Sequence, residues 1–344
     1  MIDAPQSRLR NRDSVHMDNT VTQAAESIQQ LVLAVQAAET RIRPYIRETY
    51  VEPSALLTER TGAHVWLKLD NLQLTGSFKV RGAFNKILSV PPEARQRGIV
   101  AASTGNYGLA VAHVLARLGV AGTVFVPTIV APGKLAKLRR AGVQVELRGD
   151  DSGETEVIAR AYAAQHGMVY VSPYNDFDVI AGQGTLGVEL ARQIDQIDDV
   201  IIAVGGGGLV SGVAAYLKSV NPQLRVIGCQ PANSHVMYES VRAGRILELA
   251  SEPTLSDGTA GGIEAGSITF PLCQALIDEF VLVTEDDIRK CLRLMVDEHH
   301  MLVEGAAAVA VSALLQLGSS VRGRKVAVVL CGANIDTTIL SGIF

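Results

Sequence analysis

Cysteine is scarce and scattered. Cys229, Cys273, Cys291 and Cys331 are the only four, no C-x-x-C pair occurs and no secretory leader precedes them. A disulfide framework and a zinc site are therefore not expected, and a reduced, cytoplasmic chain is. Charge of one sign is equally lacking: 31 Lys and Arg stand against 35 Asp and Glu, a net charge of −4, with no basic block. That removes the electrostatic footprint of a nucleic-acid or anionic-membrane binder and leaves small molecules as the expected partners. Long hydrophobic runs are missing too. The longest, such as VIIAVGGGGLV, are too short and too glycine-broken to span a bilayer, and the N-terminus MIDAPQSRLRNRDS has no apolar targeting core.

What is present is apolar substance. Hydrophobic residues make up 48% of the 344, charged residues only 19%, and the mean hydropathy is +0.22. That is enough to offset chain entropy, and the length implies two lobes rather than one core. Residues 1 to 20 are polar and read as a frayed end, whereas Ile28, Leu31, Val32, Val35 and Ala38 carry helical spacing across 21 to 43. From Val65 onward, short apolar runs (HVWLKL, GIVAAS, GTVFVP, QVELRG, MVYVSP, DVIIAVG, RVIGCQ, FVLVTE, KVAVVLCG) alternate with helical stretches such as YGLAVAHVLARLG and TEVIARAYAAQHG. This alternation predicts an α/β fold with mostly parallel sheet covered on both faces. No repeat and no flexible linker marks a boundary; the prolines at 91 and 92 and the SPYNDFD turn at 172 to 178 bracket a segment that reads as an inserted lobe. The expected division is 1–90 with 175–344 as a large domain and 91–174 as a small one.

Four motifs could carry chemistry. Lys79, in Gly76-Ser77-Phe78-Lys79, follows a glycine turn; a desolvated lysine there loses its charge and becomes a nucleophile, although a lone lysine is ordinarily a solvated surface group. Gly205, Gly206, Gly207 and Gly208, with Leu209, follow the strand DVIIAV and precede a helix expected near Val210. Their free N–H groups and the helix dipole make a phosphate cup, without the P-loop spacing; a bare crossover turn is the competing use. Ser103-Thr104-Gly105-Asn106-Tyr107-Gly108 sits at another strand end and suits a carboxylate or phenolic oxygen, with plain helix capping as its alternative. Leu330-Cys331-Gly332-Ala333-Asn334-Ile335-Asp336 ends the strand KVAVV; a buried cysteine is most often a small hydrophobe. Ligands in open α/β sheets lie beyond the carboxyl ends of strands, so three of these four motifs converge on one predicted crevice.

Taken in order, LKLDNLQLTGSFKVRGA, ASTGNYGLAVA, VIAGQGTLGVEL, GGGGLVSGVA and LCGANID resemble the threonine/serine dehydratase and serine racemase group of fold-type II pyridoxal phosphate enzymes, over about residues 50 to 336. The resemblance implies the tryptophan-synthase-β-like fold, with two open twisted sheets in a large and a small domain. It implies that Lys79 carries pyridoxal 5'-phosphate as a Schiff base and takes the α-proton, that Phe78 packs on the ring, and that Asn106 bonds the phenolic oxygen. Gly205 to Gly208 with Leu209 would hold the phosphate, and Cys331, where a serine is usual, would face the ring nitrogen. Ser103, Thr104, Gly105 and Tyr107 would bind the substrate carboxylate. The implied reaction is loss of water from a β-hydroxy amino acid such as threonine or serine, giving a 2-oxo acid and ammonia, in a homodimer or dimer of dimers. A thiol is a poor proton source for the ring, which favours elimination over transamination.

The sequence departs from that group in several places. Gln230 and Val236 stand in QPANSHV where stimulating-cation ligands are acidic, so no metal site is expected, and His299-His300 has no metal-binding spacing. Thr104 replaces the serine of racemases and the alanine of many dehydratases, which keeps racemisation open as a side activity. Tyr107 stands where histidine is common. The stretches DGTAGGIE (257–264) and HMLVEG (300–305) are similar to the hydroxyectoine-utilisation dehydratases, so a hydroxyectoine-derived or 3-phenylserine-like substrate is the alternative, as is a β-replacement enzyme of the same fold.

Overall fold

The computed structural model describes residues 10–344, with side chains described from Glu26 onward. Ten strands form two sheets. In the larger sheet, β1 (Val51–Pro53), β2 (His64–Lys68), β7 (Asp199–Ala203), β8 (Arg225–Pro231), β9 (Glu279–Val283) and β10 (Lys325–Val329) run in the order β1-β2-β10-β7-β8-β9. The smaller sheet has the order β5-β4-β3-β6, from β3 (Ile99–Ala102), β4 (Gly122–Val126), β5 (Gln144–Leu147) and β6 (Val169–Tyr170). Every pairing is parallel except that of β1 with β2. The nine apolar runs read from sequence are β2 to β10. The tenth strand, β1, escaped because three residues ending in proline carry no alternation; Pro53 lacks an N–H and sits on the sheet edge, where it is tolerated.

Beyond their charged first residues, Asp199 and Lys325, the central strands β7 and β10 are apolar throughout because helices cover both faces. All of β7 is buried, and so are residues 305–314 of the Gly305–Leu317 helix. The helix Arg10–Ile42 starts eleven residues earlier than the frayed reading of 1 to 20 allows, so that expectation is corrected from Arg10 on; residues 1–9 lie outside the described residues. A separate core surrounds the smaller sheet. It takes Ile42, Ile46, Val80, Ala83, Phe84 and Ile87 from the chain ahead of that sheet, packed with Val111, Val114, Val124 and Val126. No helix among the described residues is long and apolar enough to cross a membrane.

Parallel pairing puts the carboxyl ends of β2, β7 and β10 side by side, as it does those of β3 and β4. The four motifs follow β2, β3, β7 and β10, and the cleft between the two sheets collects them.

Candidate active site

Lys79 opens the helix Lys79–Ser89, and a tight turn aims it. Thr75 and Gly76 are both left-handed, at φ 63° and 73°. Backbone bonds then fasten the turn to the β10 loop: Phe78 N donates to Cys331 O at 3.0 Å and Ala333 N to Gly76 O at 2.9 Å. The Lys79 ammonium donates to Pro173 O at 3.1 Å and lies 5.1 Å from the Phe78 ring centre and 5.8 Å from that of Tyr107. Desolvation draws its pKa down to about 8, against the opposing pull of Cys331 and Glu304.

The tetraglycine turn leads from β7 into the helix Gly208–Val220, which starts two residues ahead of the expected Val210. Gly207 has φ 85°, and a Cβ there would lie 2.6 Å from the Cys273 sulfur. A Cβ on Gly206 would lie 2.5 Å from the Tyr174 ring. Side chains are thus excluded by space as well as by backbone, and what faces the cleft is N–H groups at a helix N-terminus, a donor set matched to phosphate.

Ser103 to Asn106 link β3 to the helix Asn106–Leu118. Plain capping does not account for them: the N-cap is Gly105, with no side-chain cap, and the Ser103 hydroxyl accepts from Gly105 N at 3.3 Å. Tyr107 is buried in the smaller core, where burial raises its hydroxyl well above the usual phenol range.

A carboxylate with no role assigned from sequence, Glu304, completes the floor. Asn106 Nδ2 donates to both carboxylate oxygens of Glu304 at 2.9 Å, while its Oδ1 accepts from Asn334 Nδ2 at 2.7 Å. Glu304 also accepts from Asn334 N at 3.1 Å and lies 4.0 Å from the Cys331 sulfur. Burial raises Glu304 to about 7, although Asn106, Asn334 and Lys79 favour its ionised form. Burial likewise lifts the Cys331 thiol well above its ordinary value, helped by Glu304. Beyond its place in HMLVEG, the sequence sign of Glu304 is a carboxylate immediately before a small-residue helix, GAAAVAVSA, a position where a helix N-terminus meets an acid.

All the residues expected to bind cofactor or substrate line one cavity of about 550 Å³: Lys79 with Phe78, the 103–107 loop, Gly205 to Leu209, and Cys331. Gln230 is elsewhere occupied, its amide nitrogen on Val204 O at 3.0 Å and its oxygen accepting from Tyr238 N at 2.8 Å. Among the described residues, no group of three or more His, Cys, Asp or Glu could hold a metal ion.

A half-buried lysine with a lowered pKa, facing a side-chain-free phosphate cup at the strand ends, defines a site for a phosphorylated carbonyl cofactor. The chain belongs to the pyridoxal-phosphate dependent enzymes, whose family model matches residues 42–332. It is 40% identical to the L-threonine ammonia-lyase of Thermotoga maritima over 90% of this chain and 77% of that protein. It is 37% identical to the catabolic L-threonine dehydratase of Escherichia coli over 89% and 93%. The processed form of threonine deaminase isoform 2 from Solanum lycopersicum superposes with a TM-score of 0.87 at 31% identity, over 92% of each chain. The cofactor is pyridoxal phosphate, the fold is that of its fold-type II enzymes, and the enzyme is a lyase.

Proposed function

We propose that this enzyme dehydrates L-threonine, and L-serine beside it, to a 2-oxo acid and ammonia. The observation that carries the reading is Lys79, held at the cleft floor with its amine drawn to about pKa 8, opposite the glycine cup. The relatives named above act on threonine by their names, and they support the substrate.

The residues present fit pyridoxal phosphate: the cup that a Cβ would fill would hold the phosphate, Lys79 would hold the aldehyde carbon, Phe78 would flank the ring and Asn106 would offer an amide to its phenolic oxygen. When bound, the cofactor supplies an electron-accepting ring that stabilises negative charge at the substrate α-carbon. Ser103, Thr104 and Gly105, with Tyr107 behind them, offer hydroxyls and N–H groups at a helix start to the substrate carboxylate. Lys79 would hold the α-proton on Nζ. A lysine tuned toward neutral pH does this far better than one at 10.5. Cys331, with its proton held firmly by burial, offers the ring nitrogen a neutral thiol.

Serine as a second substrate, a homodimer or dimer of dimers, a cytoplasmic setting and 91–174 as the inserted domain belong to the same reading, and a role in ectoine degradation to its alternative. The test is 2-oxobutanoate release from L-threonine by the holoenzyme, with 2-oxo acid from L-serine assayed alongside. Turnover of neither, with bulkier β-hydroxy amino acids accepted, transfers the reading to 3-phenylserine-like or hydroxyectoine-derived substrates.

A further inference from the structure

Residues 244–268 contain neither helix nor strand, an unusually long irregular run for a packed protein. Its second half roofs the cavity, with Asp257, Thr259, Ile263 and Glu264 in the wall. Backbone bonds hold this segment to the larger-sheet lobe: Leu255 N donates to the Glu285 carboxylate at 2.7 Å and Gly261 N to Ser234 Oγ at 3.1 Å. Its charged side chains reach the other way. Lys134, on the Pro132–Arg140 helix of the smaller-sheet lobe, donates to Asp257 at 2.7 Å. Arg160, on the Ser152–Gln165 helix of the same lobe, donates to Glu264 at 3.0 Å, and Asn175 Nδ2 donates to Glu264 at 2.7 Å. Arg160 is itself steadied by Glu156 at 2.6 Å and by the Tyr170 ring, 4.3 Å away. The two bridges therefore tie one segment to one lobe at separate points around the same opening.

The segment also reaches the cofactor cup. A Cβ on Gly205 would lie 3.0 Å from Thr259 Cα, so the strap backbone lies directly against the first glycine of the cup. Between the two bridges, Gly261 has φ 118°, and a Cβ on Gly261 or Gly262 would meet nothing within 4 Å. Those glycines answer to backbone freedom rather than to close packing, which suits a hinge.

We infer that Lys134 and Arg160 are positioning residues: through Asp257 and Glu264 they tie the 255–264 strap, which lies against the glycine cup, to the smaller-sheet lobe, so that closure of the cavity mouth and retention of the cofactor are one event. Neither touches the cup. Both bridges are partly exposed, with Lys134 and Asp257 at 34% and 51% and Arg160 and Glu264 at 42% and 26%, so each is weak enough to break and re-form. The inference does not depend on which hydroxy amino acid is turned over.

The test is a double-mutant cycle on the holoenzyme: Lys134→Met, Asp257→Ala and the two together. Two quantities are read in each, amide hydrogen exchange over 255–264 and the rate at which pyridoxal phosphate is lost on dialysis. Each single change should speed both by roughly two- to fivefold, and the pair should be no worse than the more affected single variant. Exchange in β7 and β10 should not move. Arg160→Met, which keeps an apolar stem and deletes the charge, should act in the same direction. Unchanged exchange in the single variants, effects that multiply in the double, or an equal rise in β7 and β10 would each overturn the inference. If a variant unfolds globally it is set aside, and Arg160→Met, read by the same two quantities, decides in its place.

Discussion

Arg81 and Glu189 face each other as a two-pronged ion pair, Nη1 to Oε1 at 2.7 Å and Nη2 to Oε2 at 2.8 Å, with both side chains wholly buried. The same guanidinium grips Asp70 through Nε at 2.7 Å and Nη2 at 2.8 Å, while Glu189 also accepts from Lys68 at 2.5 Å and Arg43 at 2.7 Å. Arg81 lies two residues beyond Lys79 on the same helix, so this cluster fixes the start of the helix on which Lys79 rides. Such a fork suits arginine and not lysine.

Removing the Glu189 charge leaves Asp70 as the one carboxylate facing the buried Arg81 and Lys68, while Arg43 keeps Glu39 at 2.8 Å. Glu189→Gln should cost about 3–5 kcal/mol, seen as a lower urea midpoint at unchanged slope. The pH dependence has a definite sign. Burial pushes Glu189 up, but Arg81 and Lys68 outweigh it and hold the carboxyl below its ordinary value. Its stabilisation is present above about pH 4.5 and is lost as pH falls through the lowered pKa, so the deficit of the Gln variant should shrink on acidification. A deficit that stays constant from pH 7 to pH 3 would contradict this.

Lys79 should report its lowered pKa through cofactor uptake. Only the neutral amine attacks an aldehyde, so uptake of pyridoxal phosphate by the cofactor-free protein should rise about tenfold per pH unit and level off above about pH 8. Levelling near pH 10 instead would place Lys79 in a solvated setting. Lys79→Ala should take up no cofactor that borohydride can fix to the chain, and should lose turnover while remaining folded.

This pairing of Lys79 with its surroundings marks where sequence reading stops. The strand ends and the glycine cup are local: a run of apolar residues followed by glycine or a hydroxyl is visible within ten positions. Glu189 is not. It sits inside VIAGQGTLGVEL, a segment that carries the family resemblance without singling out its acid, and meets Lys68 121 residues away. Glu304, similarly, meets Asn106 at a separation of 198 and Asn334 at 30, and only the fold brings those amides to one carboxylate. The strap was quoted as DGTAGGIE for its likeness to a subfamily, yet its use depends on Lys134 and Arg160 across the cleft. Buried charge clusters join elements far apart in the chain, and no periodicity announces them.

Gly207→Ala tests the cup. The new methyl would meet the Cys273 sulfur at 2.6 Å in a backbone conformation with φ 85°, so both strain and overlap act. The cost should be about 1–3 kcal/mol, with weaker retention of pyridoxal phosphate. Adding Cys273→Ala relieves the overlap but not the backbone strain, and should recover part of the loss. Full recovery would show that φ is not a constraint there; none would show that the sulfur is not the obstacle.

Glu304 should make the cofactor-free protein less stable as pH rises. Its folded pKa is raised to about 7 by burial, with Asp257 adding to the rise and Asn106, Asn334 and Lys79 opposing it. The folded state therefore holds this proton more tightly than the unfolded chain does. Its stabilisation is complete below the ordinary carboxylate pKa near 4.5 and is lost as pH climbs through about 7. Across that window the wild type should lose up to about 3 kcal/mol through this one group. Glu304→Gln carries no such proton, and although its amide faces the donors of Asn106 and Asn334 and costs stability at every pH, that cost should not vary. The difference between the two proteins, measured by urea unfolding from pH 5 to pH 8, should thus narrow with rising pH. A difference that widens or stays flat would mean that Glu304 is ionised throughout, with Asn106 and Asn334 supplying enough donors to keep it so.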